Sequence, residues 1–372
     1  MTDTFPISTP AFGDPQAVHV QRAFGDFRFG RPVRIVGSGA PIAALPIDRL
    51  DPIQIAIFRS RVAAGPMSLV VTGPRAAAMG LPPHDIVRVP VPDDIQPREL
   101  LALAADADVD VPGRPTPGTR EDIAAVELAK LAELLPAALI APASATPLNG
   151  IEAGLLTVDA DAVLAFRRFL AGTMRPLSEA RVPIAGDIDT RLVVYRDVIG
   201  GMAIAIIIGD PDPSQSIPVR VHSSCATGDI FGSRRCDCGD QLQLALQRIK
   251  AHGSGAVLYM EQEGRGLGLA NKMRAYALQD GGLDTVDANT HLGFHEDERD
   301  YYAAGVLLND LGWNKVALLT NNPLKVEALQ EAGIEVTSRI PVLAPINADN
   351  RRYLEVKASR SGHLLEHVHR SA

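Results

Sequence analysis

Apolar and polar positions alternate along this chain in two rhythms, one helical and one of the period found in strands. Residues 1–16, rich in Thr, Pro and Gly, predict an irregular tail. From Val18 onward, VQRAFGDFRFG predicts a helix and PVRIVG a short buried strand. Residues 49–60 (RLDPIQIAIFRS) space their apolar side chains for a helix with one buried face. SLVVTG predicts a strand, and PRAAAMGL a helix opening at proline. Residues 82–120 are polar and rich in Pro and Asp, and predict the least regular structure in this half. EDIAAVELAKLAELL (121–135) is strongly amphipathic, AALIAP predicts a strand, and ADAVLAFRRFLAG a helix ending at Gly172. Periodicity lapses around 173–185, in MRPLSEARVPIAGD, which places a domain boundary there.

The second half opens on strands: TRLVVYRD, MAIAIIIGD and IPVRVHSS. DQLQLALQRIKAHG predicts an amphipathic helix closed by glycine, and GAVLYM a buried strand running into the loop EQEGRGLGL. NKMRAYALQD and ERDYYAAGVLLNDLG predict helices. VALLT, NNPLKVEALQEAG and IEVTSRIPV then read as strand, loop with helix, and strand. Alternation of this kind predicts a mixed α/β (α+β) fold of two domains, each a mixed sheet with packed helices and its working loops at strand ends.

Composition narrows the function. The 372 residues carry a net charge of −8, with 46% hydrophobic and 22% charged residues. That balance suits a globular protein and argues against a broad basic footprint for nucleic acid. MTDTFPISTP lacks the basic and apolar regions of an export signal. The most apolar run, GGMAIAIIIG (200–209), is too short to cross a bilayer. The expectation is a cytoplasmic protein with no membrane partner.

All three cysteines, Cys225, Cys236 and Cys238, fall within fourteen residues in the pattern C-x10-C-x-C. An odd set in a reducing compartment fits a metal better than a disulfide framework, and clustered thiolates favour zinc. Three readings stand at this point. A catalytic zinc keeps three protein ligands and an open position. A structural zinc would add His222 as a fourth ligand. The thiols could instead be small buried side chains.

Polar residues gather in five loops at predicted strand ends: RVHSS, EGR, DT, EDERD and TNNPLK. EGRGLG offers backbone amides and an arginine to a phosphate or a base. TNNPLK places a hydroxyl, amides and Lys325 at a helix start, which favours anions. The dipeptide Gly-Lys does not occur, so a nucleotide would be held by something other than a P-loop. Asp297 and Arg299 lie two apart in a loop, an acid and a cation suited to a proton and a phosphate.

From about Val182 to Leu365 the chain closely resembles the GTP cyclohydrolase II family. The likeness lies in RVHSSCATGDIFGSRRCDCGDQL, QEGRGLGLANKMRAYALQDGGLDTVDANTHLGF, DERD, LLTNNPLK and the closing SGHLL. The resemblance implies that Cys225, Cys236 and Cys238 hold one zinc ion per subunit, with water attacking C8 of guanine and that carbon leaving as formate. It implies Arg299 as nucleophile or electrostatic stabiliser at the α-phosphate, Asp297 as proton acceptor and Tyr276 beside the reacting base. GTP contacts would come from Arg220, Val221, His222, Ser223 and Ser224. Further contacts would come from Gln241, from Glu263, Gly264 and Arg265, and from Thr285, Thr320 and Lys325. Glu263 would accept from the guanine N1–H and amine. Magnesium would accompany the triphosphate, and the protein would be a homodimer. In this reading His222 is not a ligand.

The first half resembles 3,4-dihydroxy-2-butanone-4-phosphate synthase in VQRAFGDFRFGRPVRIV, SLVVTGPRAAAMGLPP, IAAVELAKLAELLPAALI and LLTVDADAVLAFRR. Its catalytic text is absent. GSGAPIAAL follows PVRIV where that family has an acidic loop, and Glu121, Asp122 and Ile123 stand where it has His-Thr-Glu. The expected organisation is a tail (1–16), a degenerate synthase-like domain without catalysis (17–172) and a GTP cyclohydrolase II domain (173–372). The rival readings are a cyclohydrolase of the same mechanism on another nucleotide, and a non-catalytic nucleotide-binding or regulatory protein with structural zinc.

Overall fold

The computed structural model describes residues 13–144, 154–360 and 364. Most of the expected N-terminal tail, and SGHLL apart from Leu364, lie outside the described residues. The chain divides into two compact units. The first comprises residues 1–167 and 289–295, and the second 168–288 and 296–372. Each contains a mixed sheet with packed helices, so the α+β class expected from the pattern is what the chain adopts.

The first unit holds β1 (Val33–Val36), β2 (Ile42–Pro46), β3 (Ser68–Thr72), β4 (Ile86–Pro90), β5 (Thr116–Pro117), β6 (Ala137–Pro142) and β7 (Thr157–Asp159). Their order is β5-β4-β3-β6-β2-β1-β7. Only β7, beside β1, pairs in parallel. The helix Arg120–Leu131 packs on this sheet with Ala124, Ala125, Leu128 and Ala129 buried, and the three alanines allow close approach. The stretch 82–120 is more regular than its composition predicts, with β4 and the helix Pro97–Ala105 inside it. The proline opening that helix occupies its first turn, where no backbone donor is lost. GSGAPIAAL likewise yields β2, fully buried at every position.

The second unit holds β8 (Arg175–Ile184), β9 (Ile188–Arg196), β10 (Met202–Ile208), β11 (Ile217–Ser223), β12 (Gly255–Met260), β13 (Lys315–Leu319) and β14 (Glu335–Ile340). Their order is β14-β13-β11-β12-β10-β9-β8. Where periodicity lapses, in MRPLSEARVPIAGD, the chain forms β8, a ten-residue edge strand exposed along most of its length. With neither face buried, no alternation was selected, and its periodicity is silent. β8, β9, β10 and β12 pair antiparallel, whereas β12, β11, β13 and β14 run parallel. β11 is buried from Ile217 to His222, as a parallel strand covered on both faces should be.

The parallel half decides where chemistry can occur. β11 pairs with β12 on one side and β13 on the other, so the connections leaving these strands diverge at their C-terminal ends. A crevice at such a switch point is where open α/β sheets bind ligands. Among the described residues no helix is long and apolar enough to cross a membrane.

Candidate active site

β11 ends at Ser223 and delivers Ser224 and Cys225. Ser224 N–H donates to the Met260 carbonyl (2.8 Å), and its hydroxyl accepts from Gln262 N–H (3.2 Å), joining the ends of β11 and β12. Ser223 Oγ reaches Gln262 Oε1 at 3.4 Å. Cys225 opens a short π-helical turn, Ala226–Ile230, and Cys238 begins the helix Cys238–His252. The turn folds the chain back, so cysteines eleven and thirteen residues apart meet.

The three sulfurs lie within 4.8 Å of one another, with Cys225 and Cys236 Sγ 3.8 Å apart. Tetrahedral zinc with bonds of about 2.3 Å needs sulfurs about 3.8 Å apart. Gly228 floors the cluster: a Cβ there would lie 3.0 Å from Cys236 Sγ and 3.2 Å from Cys225 Sγ. Among the described residues this triad is the group of side chains able to hold a metal. His222 does not close it. It is buried, its ring stacks on Tyr259, and its Nε2 faces the Asp229 carboxylate at 3.2 and 3.3 Å. Asp229 also accepts from Tyr259 Oη (3.0 Å) and Cys225 N–H (2.9 Å), so it organises the turn that presents the first cysteine.

Lys272, in the helix Leu269–Asp280, donates to Cys225 Sγ (3.1 Å), Thr227 Oγ1 (2.8 Å) and Glu263 Oε1 (2.8 Å). Hydrogen bonds from Cys236 and Cys238 chiefly hold the Cys225 thiol below its ordinary pKa, and Lys272 adds to this. Tyr276, one turn beyond Lys272, is half-buried beneath the Arg235 guanidinium, 4.4 Å from its ring centre. Burial pushes its phenol up to about 12.

The loop after β12 forms one turn, Glu263–Gly266, with Gly264 and Arg265 both left-handed (φ 62° and 63°). Glu263 uses both oxygens on its own protein: Oε2 accepts from Ala226 N–H (2.6 Å), and Oε1 from Gly264 N–H (2.9 Å) and Lys272. The carboxylate expected to face guanine therefore also ties the cysteine turn in place. Arg265 donates to the Glu296 carbonyl (3.2 Å), and its own carbonyl accepts from Glu298 N–H (3.0 Å), docking this turn on the acidic loop.

Residues 297–301 have no regular structure, and the helix predicted to include ERD begins only at Tyr302. Asp300 Oδ1 accepts from the N–H of Tyr302, the first residue of that helix (2.8 Å). Arg299 grips Asp297 twice, Nε to Oδ1 at 2.7 Å and Nη2 to Oδ2 at 2.5 Å, and Tyr301 Oη reaches the same carboxylate at 3.3 Å. Burial opposes both charges. Tyr301 and Asp297 outweigh it for Arg299, whose pKa is raised, and Arg299 outweighs it for Asp297, whose pKa is lowered.

Arg220 and Lys325 are buried beside this pair. Arg220 Nη1 donates to the Leu319 carbonyl (3.0 Å) and Nη2 to Gln241 Oε1 (2.5 Å), while its Nε finds no partner among the described residues. Gln241 continues to Asp237 (2.5 Å), and Asp237 to Lys357 (2.7 Å). Lys325 donates to the Val221 carbonyl (2.8 Å) and lies 5.2 Å from the Tyr301 ring centre. Burial, then the Arg220 and Arg299 charges, push its ammonium well below the ordinary lysine value. Thr320 follows β13, buried, its hydroxyl accepting from Asn322 N–H (3.0 Å); Asn322 caps the helix Pro323–Glu331 through Leu324 N–H (3.0 Å). Thr285 begins the helix Thr285–His291, whose first turn is capped by Asp284.

Several residues of this site escaped the sequence reading. Lys272 precedes Tyr276 by one helical turn, a spacing that places both on one face. Asp229, Asp237, Tyr259 and Tyr301 are polar groups inside or beside the recognised motifs. Tyr353 and Lys357 lie on a helix, Arg351–Ser359, that was not predicted.

A triad of thiols able to hold a metal lies beside a buried basic cluster, both at the C-terminal ends of parallel strands, an arrangement of the class found in enzymes. A family model for GTP cyclohydrolase II matches residues 175–341. A GTP cyclohydrolase-2 of Azospirillum brasilense is 42% identical over 340 residues, covering 90% of this chain and 84% of that relative. One from Xylella fastidiosa (strain Temecula1 / ATCC 700964) is 40% identical over 364 residues, covering 95% and 89%. The riboflavin biosynthesis protein RibBA of Bacillus mycoides is 54% identical over 162 residues, covering 44% of this chain and 41% of that protein. This chain belongs to the GTP cyclohydrolase II family.

Proposed function

We propose that the protein opens the imidazole ring of GTP by hydrolysis, releasing formate and pyrophosphate. The product is 2,5-diamino-6-(5-phosphoribosylamino)pyrimidin-4(3H)-one, destined for riboflavin biosynthesis. The carrying observation is electrostatic: Arg220, Arg299 and Lys325 are buried together with Lys357, and Asp297 and Asp237 are the carboxylates that act on them. Buried charge is costly unless compensated, and a magnesium triphosphate supplies the missing negative charge. The unpartnered Arg220 Nε is one donor left for it.

Cys225, Cys236 and Cys238 would hold zinc, which when bound would supply Lewis acidity for hydrolysis at C8 of guanine. The chain does the rest. Lys325, Arg220 and the amides of the loop after β13 hold phosphate oxygens, and Arg265 and Thr285 extend that contact. Tyr276, a neutral phenol at neutral pH, donates a hydrogen bond beside the reacting base. Arg299 stabilises charge developing at the α-phosphate as pyrophosphate departs. Its raised pKa and double bond to Asp297 favour this electrostatic role over attack by a neutral guanidine. Asp297 holds the guanidinium in the free protein and accepts a proton once substrate draws Arg299 away.

The test is GTP with magnesium on zinc-quantified protein, followed for formate and pyrophosphate. Arg299→Ala should lower kcat by on the order of 10²–10³ while zinc stays bound. A zinc-loaded wild type that leaves GTP intact would overturn the proposal. Because Glu263 is already engaged by three protein donors, a panel of other nucleoside triphosphates belongs in the same assay.

The first unit retains its likeness to 3,4-dihydroxy-2-butanone-4-phosphate synthase, and we read it as non-catalytic. Glu121 accepts from Gly39 N–H (2.8 Å), and a Cβ on Gly37 would lie 2.6 Å from its carboxylate. The acid-free loop thus fills the space over this acid. Asp122 is bound by Arg88 (2.6 and 3.0 Å) and Thr119 N–H (2.7 Å). Ribulose 5-phosphate should pass through the assay unchanged.

A further inference from the structure

The first unit contains seven residues from the middle of the cyclohydrolase text. The chain leaves the second unit after Ala288, runs through 289–295 as part of the first, and returns at Glu296, immediately before Asp297. Within the first unit this segment is tightly held. The helix Thr285–His291 ends in a reversal closed by Gly293 N–H to the Thr290 carbonyl (2.9 Å) and Phe294 N–H to the Asn289 carbonyl (3.0 Å). That pattern requires a left-handed residue, and Gly293 supplies it at φ 85°. Leu292 and Phe294 are buried.

Two side chains grip the reversal. Thr72, the last residue of β3, donates its hydroxyl to the Gly293 carbonyl (2.6 Å). Arg75 donates Nη1 to the His291 carbonyl (2.9 Å) at the helix end. The rest of its fork goes to the carbonyls of Leu103 (2.9 Å), Ala102 (3.1 Å) and Asp106 (2.8 Å), at the end of the helix Pro97–Ala105. Arg75 is 1% exposed, so one guanidinium spans the C-terminal carbonyls of two helices away from water. The approach leaves no room for a side chain at 293: a Cβ would lie 3.0 Å from both Pro136 Cγ and Thr72 Oγ1, and 3.3 Å from Arg75 Cβ.

Only His295 and Glu296 separate Phe294 from Asp297. Residues 297–301 lack regular structure; Arg265 holds the Glu296 carbonyl and Glu298 N–H, Gln262 holds the Asp300 carbonyl, and the two ends are fixed by the helix Tyr302–Asp310 and by this gripped reversal. Misplacing a reacting group by about 1 Å costs on the order of 10²-fold in rate. We propose that the first unit serves the reaction as the upstream anchor of the Asp297–Arg299 loop, with Thr72 and Arg75 as positioning residues. The inference rests on the reading of those two residues as reacting groups.

The experiment compares full-length wild type, Thr72→Val and Arg75→Met by hydrogen exchange and by steady-state kinetics. Amides of 296–301 should exchange at least tenfold faster in the variants, while those of 225–239 keep their wild-type rates and zinc content is unchanged. In the same variants kcat for GTP should fall about 10- to 100-fold, with KM within about threefold of wild type. If Arg75→Met does not fold, Thr72→Val, which removes one hydroxyl at nearly constant shape, decides. Unchanged exchange at 296–301 in folded Thr72→Val overturns the anchor, and faster exchange with unchanged kcat overturns its service to the reaction. A wild type inert toward GTP would sink the proposed function instead, leaving the exchange comparison to judge the anchor.

Discussion

Each unit contains an arginine that grips an aspartate with two hydrogen bonds, and the two pairs have opposite surroundings. In the first unit Arg88 and Asp122 form a closed arrangement, finished by Thr119 N–H. In the second, Arg299 and Asp297 sit beside Arg220, Lys325 and the Asp237–Lys357 pair, so basic side chains outnumber carboxylates in a buried space, and Lys325 is held back from carrying its proton. The first arrangement is electrostatically complete and needs no ligand. The second has room for an anion to complete it, as the proposed function requires. A salt bridge alone thus says little about function; the charge left over around it says more.

The largest expected effect is at the thiols. Cys236→Ser should reduce bound zinc well below one per chain, and GTP turnover should fall by more than about 10³-fold. Full zinc occupancy in that variant would break the triad assignment. Next comes Lys325→Met, which sharpens the comparison directly. It should weaken GTP binding at least tenfold yet raise the melting temperature of the unliganded protein by about 2–4 °C, the shift that about 1 kcal/mol produces in a domain of this size. The sign follows from the depressed pKa: above the folded value the unfolded chain binds the extra proton, so wild-type stability rises with pH up to the ordinary lysine value. The advantage of the variant should therefore shrink between the folded pKa and about pH 10.

A smaller effect is expected in the first unit. Arg88→Met leaves the Asp122 carboxylate buried without its partner and should cost about 1–3 kcal/mol, the lower part applying because Arg88 is partly exposed. GTP turnover at temperatures where the variant is folded should stay within about twofold of wild type. The smallest is on the acid side. Asp297 titrates below its ordinary value, so its pairing with Arg299 adds stability that is complete above the unfolded pKa and fades as pH falls through the folded one. Melting curves of wild type and Asp297→Asn should converge as pH drops from 5 toward 3; a constant gap would remove the pair from acid stability.

Much of this was readable beforehand where residue type and spacing carry the physics locally. The strands β10, β11 and β12 announce themselves as apolar runs, and the helix Arg120–Leu131 as an amphipathic one. β8 did not, because a strand exposed on both faces leaves no period in its text. The helix Arg351–Ser359 escaped notice for a related reason: Leu354 and Lys357 are its fully buried positions, and one is charged. Lys357 is buried only because Asp237, 120 residues earlier, meets it at 2.7 Å.

By itself the sequence determined which side chains could do chemistry: three thiols in one short stretch, an acid and an arginine two apart, a lysine at a helix start. Such groups carry their reactivity with them, and close spacing keeps them together however the chain folds. Only the tertiary structure decided which charges are compensated. It engaged His222 with Asp229 rather than with the thiols, tied Glu263 to the cysteine turn, and placed residues 289–295 in the first unit. Compensation depends on groups far apart in the chain and on the loss of water between them, and neither is written in any local pattern.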